Sequence, residues 1–401
     1  MDFFMVSFVV AHIAQEFHAS IPTVAFAITA SLMMRPLGAL IFGLLGDRFG
    51  RRVPLMIDIV FYSVVELLSG FAPNFTIFLI LRFIYGVAMG GEWGLGMSLA
   101  LETLPSHSRG LFSGILQQGY ALGYLLAAVV FALVFPAFGW RAMFFVGVVP
   151  ALLVLFLRYG VKESPAWERR AQQHQQGFGA MWQAVKHHWP VFIFMVVLMT
   201  GFNFMSHGTQ DLYPTFLEVQ RGYSTSETAR TAIIYNVGAI IGGTLFGFFS
   251  QRIGRRRAIV LACILGAVMI PLWVFSPSVV LLTLGAFLMQ FMVQGAWGIV
   301  PAHLNELSPA VVRGTLPGLA YQLGNLFSAG AAQMEAAFAA SYFGTPGGGA
   351  NYAQALAVLA IIVFVVVGLL AGFGPEARGV DLSEGAHALQ QQSFSNTPPL
   401  S

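Results

Sequence analysis

Long apolar stretches, separated by short polar segments, run through most of this chain. A helix needs about 20 apolar residues to cross the roughly 30 Å hydrocarbon core of a bilayer. Eleven stretches reach that length after an incomplete first one. Their limits are 21–46, 53–72, 75–101, 108–134, 140–159, 189–217, 228–250, 257–276, 278–302, 312–341 and 351–374. The pattern predicts an all-α integral membrane protein with twelve transmembrane helices.

The chain also repeats itself at an offset of 204 residues. GLLGDRFGRR at 43–52 returns as GFFSQRIGRR at 247–256, and Trp93 and Trp297 are related by the same offset. The repeat predicts two pseudosymmetric six-helix halves, the plan of some secondary transporters that bind substrate near the midplane between the halves. The predicted segments are a first half at 1–159, a central loop at 160–188, a second half at 189–374 and a disordered polar tail at 375–401.

The same offset bears on the first span. Subtracting it from the seventh span indicates that span one would begin about fifteen residues before Met1. A charged amine at mid-bilayer is costly. We therefore expect a first helix that is truncated at its N-terminus, either because the chain is shortened or because its start is mis-set.

Composition and charge agree with a membrane location. The chain is 57% hydrophobic and 9% charged, whereas soluble domains are about a quarter charged. Its basic residues fall in short clusters on the side of the central loop, which predicts a cytoplasmic loop and two cytoplasmic termini in the inner or plasma membrane. They form no patch of the kind that binds nucleic acid. The single cysteine, Cys263, excludes an intrachain disulfide.

GLLGDRFGRR resembles the loop signature of the major facilitator superfamily, which follows the second span. The resemblance implies a major facilitator fold with a cytoplasmic gate at this loop. An alternative is a basic turn that only fixes topology. Gln251 replaces the aspartate in the second copy, so the resemblance does not extend an equivalent role to that loop. The predicted gate residues are Gly43, Asp47, Arg48, Gly50, Arg51 and Arg52, with Glu102, Arg109, Glu306 and Arg313 as charged latches between helix ends.

A polar stripe marks the seventh span, in NFMSHGTQDLYPT at 203–215. Asn203, His207, Gln210 and Asp211 recur at i, i+4, i+7 and i+8, which puts them on one helical face. Such a face avoids lipid, so it lines a cavity or binds a partner helix through hydrogen bonds.

The stripe resembles the span-seven signature of lactate and other short monocarboxylate:proton permeases. GGEWG at 90–94 and KESPAWE at 162–168 are similar to the broader sialate and carboxylate symporter group. The resemblance implies proton-coupled symport of lactate or pyruvate. A symporter of sialic acid or another organic acid is the alternative, and a non-transporting membrane sensor is a more distant one.

Enzymatic chemistry does not fit the same residues. Ser206 and His207 are adjacent on a helix and diverge by about 100°, which rules out a triad with Asp211. His207 and Asp211 alone are too few for a zinc site. We therefore expect neither an enzyme nor a metal or cofactor.

Four other polar residues within spans are candidate substrate contacts. Arg35 lies near the middle of span two, where its planar guanidinium suits a carboxylate; a permanent pair with Glu66 or Glu92 is the alternative. Gln322 and Asn325 share a face of span eleven and resemble a polar pair that such permeases place against substrate. Gln118 occupies the matching repeat position. The predicted substrate residues are Arg35, Gln118, Asn203, His207, Gln210, Asp211, Gln322 and Asn325.

Proton coupling has its own candidates. Asp2 of the first span and Arg82 of span four resemble the acid–arginine pair that proton-coupled members of the superfamily rearrange during transport. A static ion pair is the alternative. Glu92, Glu66 and Asp211 are rival proton sites. The expected partners are a small organic acid, protons and the lipid bilayer, with the protein acting as a monomer.

Overall fold

The computed structural model describes residues 2–172, 178–342, 351–380 and 382. Regular structure within these ranges is helical, without a strand. The α-helices are α1 (Asp2–Glu16), α2 (Ile21–Phe49), α3 (Arg52–Gly70), α4 (Phe75–Met89), α5 (Glu92–Thr103), α6 (Arg109–Gln117), α7 (Gly119–Val146), α8 (Leu153–Gly160), α9 (Pro165–Gln172), α10 (Phe178–His187), α11 (Trp189–Gln210), α12 (Tyr213–Thr215), α13 (Thr225–Ile253), α14 (Arg255–Ile270), α15 (Val279–Leu307), α16 (Leu316–Ser328), α17 (Ala331–Ala337) and α18 (Tyr352–Phe373). Short 3₁₀ turns span Val149–Leu152 and Ala310–Val312, and π-helical turns span Phe216–Gln220, Pro271–Phe275 and Phe338–Tyr342.

Helices long and apolar enough to cross a membrane number nine in the described chain, and each overlaps a predicted span. Two other predicted spans are interrupted. The span predicted at 140–159 follows Gly139, whose φ is 73°, and contains Pro150, which lacks the N–H that an α-helix needs. The span predicted at 312–341 breaks between α16 and α17.

The sequence repeat is also a structural repeat. Helices α2 and α13 each contain 29 residues, and their first and last residues are related by the same offset as the sequence copies. Each ends at a glycine with positive φ, 100° at Gly50 and 101° at Gly254, a conformation that other residues rarely adopt. The stretches Phe75–Thr103 and Val279–Leu307 also match, with 29 residues each. The two halves are therefore built alike.

Glycines let the two halves approach closely at one end of the molecule. A Cβ atom added to Gly94 of α5 would lie 2.9 Å from the Cα of Gly318 on α16. Gly114 of α6 packs in the same way on the Gly243 carbonyl of α13. Small residues permit this backbone contact between membrane helices. We call this end the arginine-rich end, because it carries the loops at 47–52, 102–109, 251–256 and 306–315.

Candidate functional site

A cavity of about 270 Å³ lies between the two halves. Helices α2, α6 and α7 of the first half and α11, α15, α16 and α17 of the second contribute to its wall. The structure brings five predicted substrate residues together there. The lining residues are Leu32, Arg35, Gln117, Tyr120, Asn203, Ser206, His207, Asp211, Gln294, Trp297, Tyr321, Asn325, Ser328, Ala329 and Ala331.

The polar stripe contributes three residues to the cavity wall, Asn203, His207 and Asp211, and Ser206 of α11 lies beside them. Nδ1 of His207 lies 3.0 Å from Oδ2 of Asp211, and these side chains are 36% and 39% exposed. The pair therefore stands at the open part of the cavity. Asn203 lies deeper, 3% exposed, and donates to the Met199 carbonyl.

Gln210 is not among the residues that line the cavity, and its substrate contact stays a prediction. Its Nε2 donates to Oε1 of Gln290 on α15 at 2.7 Å. Gln290 in turn donates to Oγ1 of Thr209 at 3.1 Å. Gln210 lies at the edge of the stripe, where a rotation of about 100° per residue turns it toward the neighbouring helix. The alternative, hydrogen bonding between helices, describes this residue.

Gln322 and Gln118 also lie off the cavity wall. Gln322 is 2% exposed, and its Oε1 accepts from Nδ2 of Asn325 at 3.3 Å, so it supports a lining residue from behind. Gln118 donates to the Gly114 carbonyl at 3.1 Å. Gln117 lines the cavity in its place. Gln118 and Gln322 occupy matching repeat positions, and neither lines the cavity.

Arg35 is 9% exposed in the cavity wall on α2. Its Nη2 lies 3.1 Å from the sulfur of Met89. Gly90 packs directly on the Arg35 carbonyl, which holds α2 and α4 close together. Of the two predicted acidic partners, Glu92 is an electrostatic neighbour of Arg35, whereas Glu66 binds a different arginine.

That arginine is Arg82. Its Nη2 donates to Oε2 of Glu66 at 2.7 Å and to Oγ of Ser69 at 2.5 Å, with both charged side chains at most 1% exposed. The guanidinium also lies 4.4 Å from the ring centroid of Tyr85. The side chain of Asp2, the predicted partner, lies outside the described side chains. Arg82 is thus held by an acid of span three.

Aromatic rings close the cavity toward the arginine-rich end. Trp93 of the first half stacks on Tyr321 of the second, with centroids 4.6 Å apart. Trp297 meets the same tyrosine edge-on at 6.0 Å. We call these three rings the floor of the cavity. The sequence repeat relates Trp93 to Trp297, but no sequence pattern predicted that Tyr321 contacts both.

Below this floor, Asp47 joins the two halves. Its buried carboxylate accepts from the backbone N–H groups of Gly314 and Thr315 at 2.8 and 3.0 Å and from the Thr315 hydroxyl at 2.6 Å. Arg51 holds the same carboxylate at 2.9 Å. Gly43 packs on Thr315 and leaves no room for a side chain. The loop predicted as a gate therefore contacts the opposite half.

Charged pairs cross the interface on both sides of Asp47. Arg313 lies 3.4 Å from Glu102, and Arg109 lies 3.6 Å from Glu306. Arg51 and Arg255 bind the same two glutamates from within each half, at 3.4 and 2.9 Å. Burial lowers the pKa of Arg313, which Glu102 opposes as a nearby negative charge.

Gln251, in the second copy of the loop, makes an equivalent contact. Its Oε1 accepts from the Gly110 N–H at 3.3 Å and from Nη2 of Arg255 at 2.7 Å. An amide oxygen here does what one carboxylate oxygen of Asp47 does in the first copy. Both loops therefore bridge the halves, although one lacks the charge.

Arg48 and Arg52, two other predicted gate residues, show contacts with the first half and with the start of the central loop. Arg52 donates its N–H to Glu163 at 3.0 Å and its guanidinium to the Val161 carbonyl at 3.1 Å. The Arg48 guanidinium lies 5.3 Å from the ring of Phe49.

The segment after α18 covers the arginine-rich end. Nη1 of Arg109 donates to the Val380 carbonyl at 2.8 Å, and Nη1 of Arg313 donates to the Leu382 carbonyl at 3.1 Å. Leu382 is fully buried. Of the tail, the structure describes residues 375–380 and 382, whereas residues 381 and 383–401 lie outside the described chain, so a disordered tail stays a prediction.

Residues 1–333 match the family described as Major Facilitator Superfamily. The chain belongs to the major facilitator superfamily. A "Carboxylic acid transporter protein homolog" of Saccharomyces cerevisiae is 32% identical over 95% of this chain, and the match covers 66% of the yeast protein. The "Sialic acid transporter NanX" of Escherichia coli is 29% identical over 86% of this chain and 84% of its own length. The proton:xylose symporter XylE, with 20% identity, superimposes at a TM-score of 0.74 over 96% of this chain and 94% of that one.

Membership of the superfamily identifies the chain as a membrane transporter. Its members are multi-pass membrane transporters, not enzymes, and the relatives of this chain are transporters. In this major facilitator structure, the cavity is closed toward the arginine-rich end by glycine contacts, aromatic rings and cross-half ion pairs. Tyr120, 53% exposed, and the His207–Asp211 pair lie on its accessible side. The cavity is therefore closed at one end and accessible at the other.

Proposed function

We propose that this transporter carries a short monocarboxylate, lactate or pyruvate, together with a proton. The observation that supports this most is the cavity: one guanidinium, Arg35, shares a small space with the polar side chains of Asn203, His207 and Asn325. A guanidinium binds a carboxylate through two parallel hydrogen bonds. The amide and imidazole groups provide donors and acceptors for a hydroxyl or keto oxygen.

The size of the cavity supports a short acid. At about 270 Å³ it falls just below the ~300–1,000 Å³ that is usual for small-molecule sites. The yeast relative bears the name of a carboxylic acid transporter homolog, and the Escherichia coli relative that of a sialic acid transporter. A cavity this small favours a three-carbon acid over a nine-carbon sugar acid.

We further propose that the arginine-rich end faces the cytoplasm, because basic loops are retained on that side of the inner or plasma membrane. Both termini would then be cytoplasmic, and the structure would be the outward-open state. The halves at 1–159 and 189–374 would rock about the central site, linked by the loop at 160–188. One monomer contains the whole site.

Uptake into liposomes tests the proposal. One proton moving with one monocarboxylate anion carries no net charge, whereas each net charge is worth about 2.3 kcal/mol per 100 mV. An alkaline interior should therefore drive lactate accumulation, and a potassium diffusion potential at clamped pH should not. Accumulation driven by the potential alone would refute the stoichiometry.

Substrate identity is tested in the same liposomes with Arg35→Lys and Arg35→Gln. Lysine keeps the charge but loses the planar fork, so we expect weakened affinity for Arg35→Lys and loss of uptake for Arg35→Gln. Pyruvate should compete with labelled lactate. Strong competition by N-acetylneuraminate with little by pyruvate would point instead to a sialic acid transporter.

A further inference from the structure

Glu335 is a buried acid beside the cavity that the sequence patterns did not single out. Its side chain is 1% exposed, and neither carboxyl oxygen has a hydrogen-bond partner among the described residues. An isolated carboxylate in such a place is strongly disfavoured compared with the neutral acid. The surroundings of Glu335 therefore favour a carboxyl group that carries a proton in this state.

Its position connects it to the stripe on α11. A Cβ atom added to Gly208 would lie 3.4 Å from Oε1 of Glu335, so the carboxyl group packs against α11 where that helix lacks a side chain. Gly208 follows His207 directly and precedes Asp211 by three residues. Ala331, which lines the cavity, lies four residues before Glu335 and so on the same face of α17.

The charged surroundings of Glu335 come from one helix. Helix α11 offers His207 and Asp211, which are paired at 3.0 Å. Helix α18, which also packs against α17, has no charged side chain, and its one titratable group is Tyr352. The π-helical turn Phe338–Tyr342, next along the chain, has one titratable residue, Tyr342, whose side chain lies outside the described side chains. Among the described residues, Asp211 of the His207–Asp211 pair is the charged neighbour of Glu335.

We propose that Glu335 is the residue that carries the coupled proton, an inference that rests on the proposed proton symport. In the outward-open state, Glu335 holds one proton while the substrate anion binds beside Asp211. When the cavity opens toward the arginine-rich end, the O–H bond of Glu335 breaks and the proton leaves to water, directly or through Asp211. Two neighbouring carboxylates then repel the anion, so one proton and one anion leave together.

The test compares exchange with accumulation in liposomes that contain Glu335→Gln. Equal-pH counterflow of lactate needs no net proton movement, whereas accumulation against a gradient does. We expect Glu335→Gln to retain counterflow and to lose pH-driven accumulation at least tenfold. Glu218→Gln, a change of an exposed acid, serves as the matched control and should keep both activities.

Two results would overturn the assignment. One is pH-driven accumulation by Glu335→Gln at the wild-type level. The other is that Asp58→Asn loses pH-driven accumulation while Glu335→Gln retains it. Asp58 is the rival site because it is another buried carboxyl group whose oxygens have no hydrogen-bond partner in the described chain. If the wild-type protein shows no pH-driven accumulation, the proposed function fails, whatever the variants do.

Labelling of the wild-type protein keeps the test independent of how the variant folds. A hydrophobic carbodiimide modifies protonated carboxyl groups in apolar surroundings, and peptide mapping locates the adduct. We expect an adduct at Glu335. Its yield should change when excess lactate is present and should decrease as the pH rises. Absence of the adduct at a pH where the protein transports would contradict the proposal.

Discussion

Asp47→Asn should shift this transporter away from the state that is closed at the arginine-rich end. The substitution keeps the size of the side chain and removes its charge. The carboxylate, 1% exposed, accepts from two backbone N–H groups of the opposite half. A hydrogen bond to a charged group contributes ~1.5–3 kcal/mol, against ~0.5–1.5 for a neutral one. With the bond from the Thr315 hydroxyl, three cross-half bonds should each lose about 1 kcal/mol. Their sum of about 3 kcal/mol is roughly 150-fold in the ratio of the two states.

Thiol labelling from each side of the membrane measures that ratio. Cys263, the single cysteine of the chain, is buried and is removed by Cys263→Ala. Tyr120→Cys then places a thiol in the cavity wall, at a position where the tyrosine is 53% exposed. In the Asp47→Asn background, an impermeant maleimide should react more slowly from the side opposite the arginine-rich end and faster from the arginine-rich side.

Gln251→Ala provides the graded comparison, because Gln251 makes the neutral counterpart of the Asp47 contact. It accepts from the Gly110 N–H at 3.3 Å, and loss of a neutral bond costs about 0.5–1.5 kcal/mol. Its effect on labelling should be the smaller of the two. Unchanged labelling in Asp47→Asn, or a larger shift in Gln251→Ala, would refute the reasoning.

Two further substitutions test the packing around the cavity. Gln290→Leu removes the hydrogen bonds to Thr209 and Gln210 and should lower the free energy of unfolding by about 1–3 kcal/mol; an unchanged thermal midpoint in detergent would contradict this. Gly94→Ala puts a methyl group 2.9 Å from the Cα of Gly318 and should disfavour the closed contact by about 1–3 kcal/mol. The two-sided labelling assay would detect this shift in Gly94→Ala. Labelling at wild-type rates from both sides would contradict the prediction.

The sequence alone determined the fold. Apolar stretches of sufficient length predict spans because crossing the bilayer is a matter of length and hydropathy along one segment. The repeat then predicts two halves, and helices α2 and α13 start and end at matching positions. The stripe on α11 was predictable for the same reason, because the angular position of a residue on its own helix follows from its number.

Only the tertiary structure decided which side chains meet. Gln210 and His207 belong to one stripe, but packing against α15 takes one into a helix contact and leaves the other in the cavity. Arg82 binds Glu66. Glu335 packs against α11 at Gly208, where that helix has no side chain. Such pairings depend on the rotation and depth of two separate helices. The rotation and depth of each helix are set by side-chain packing over the whole interface, so no local sequence pattern predicts them.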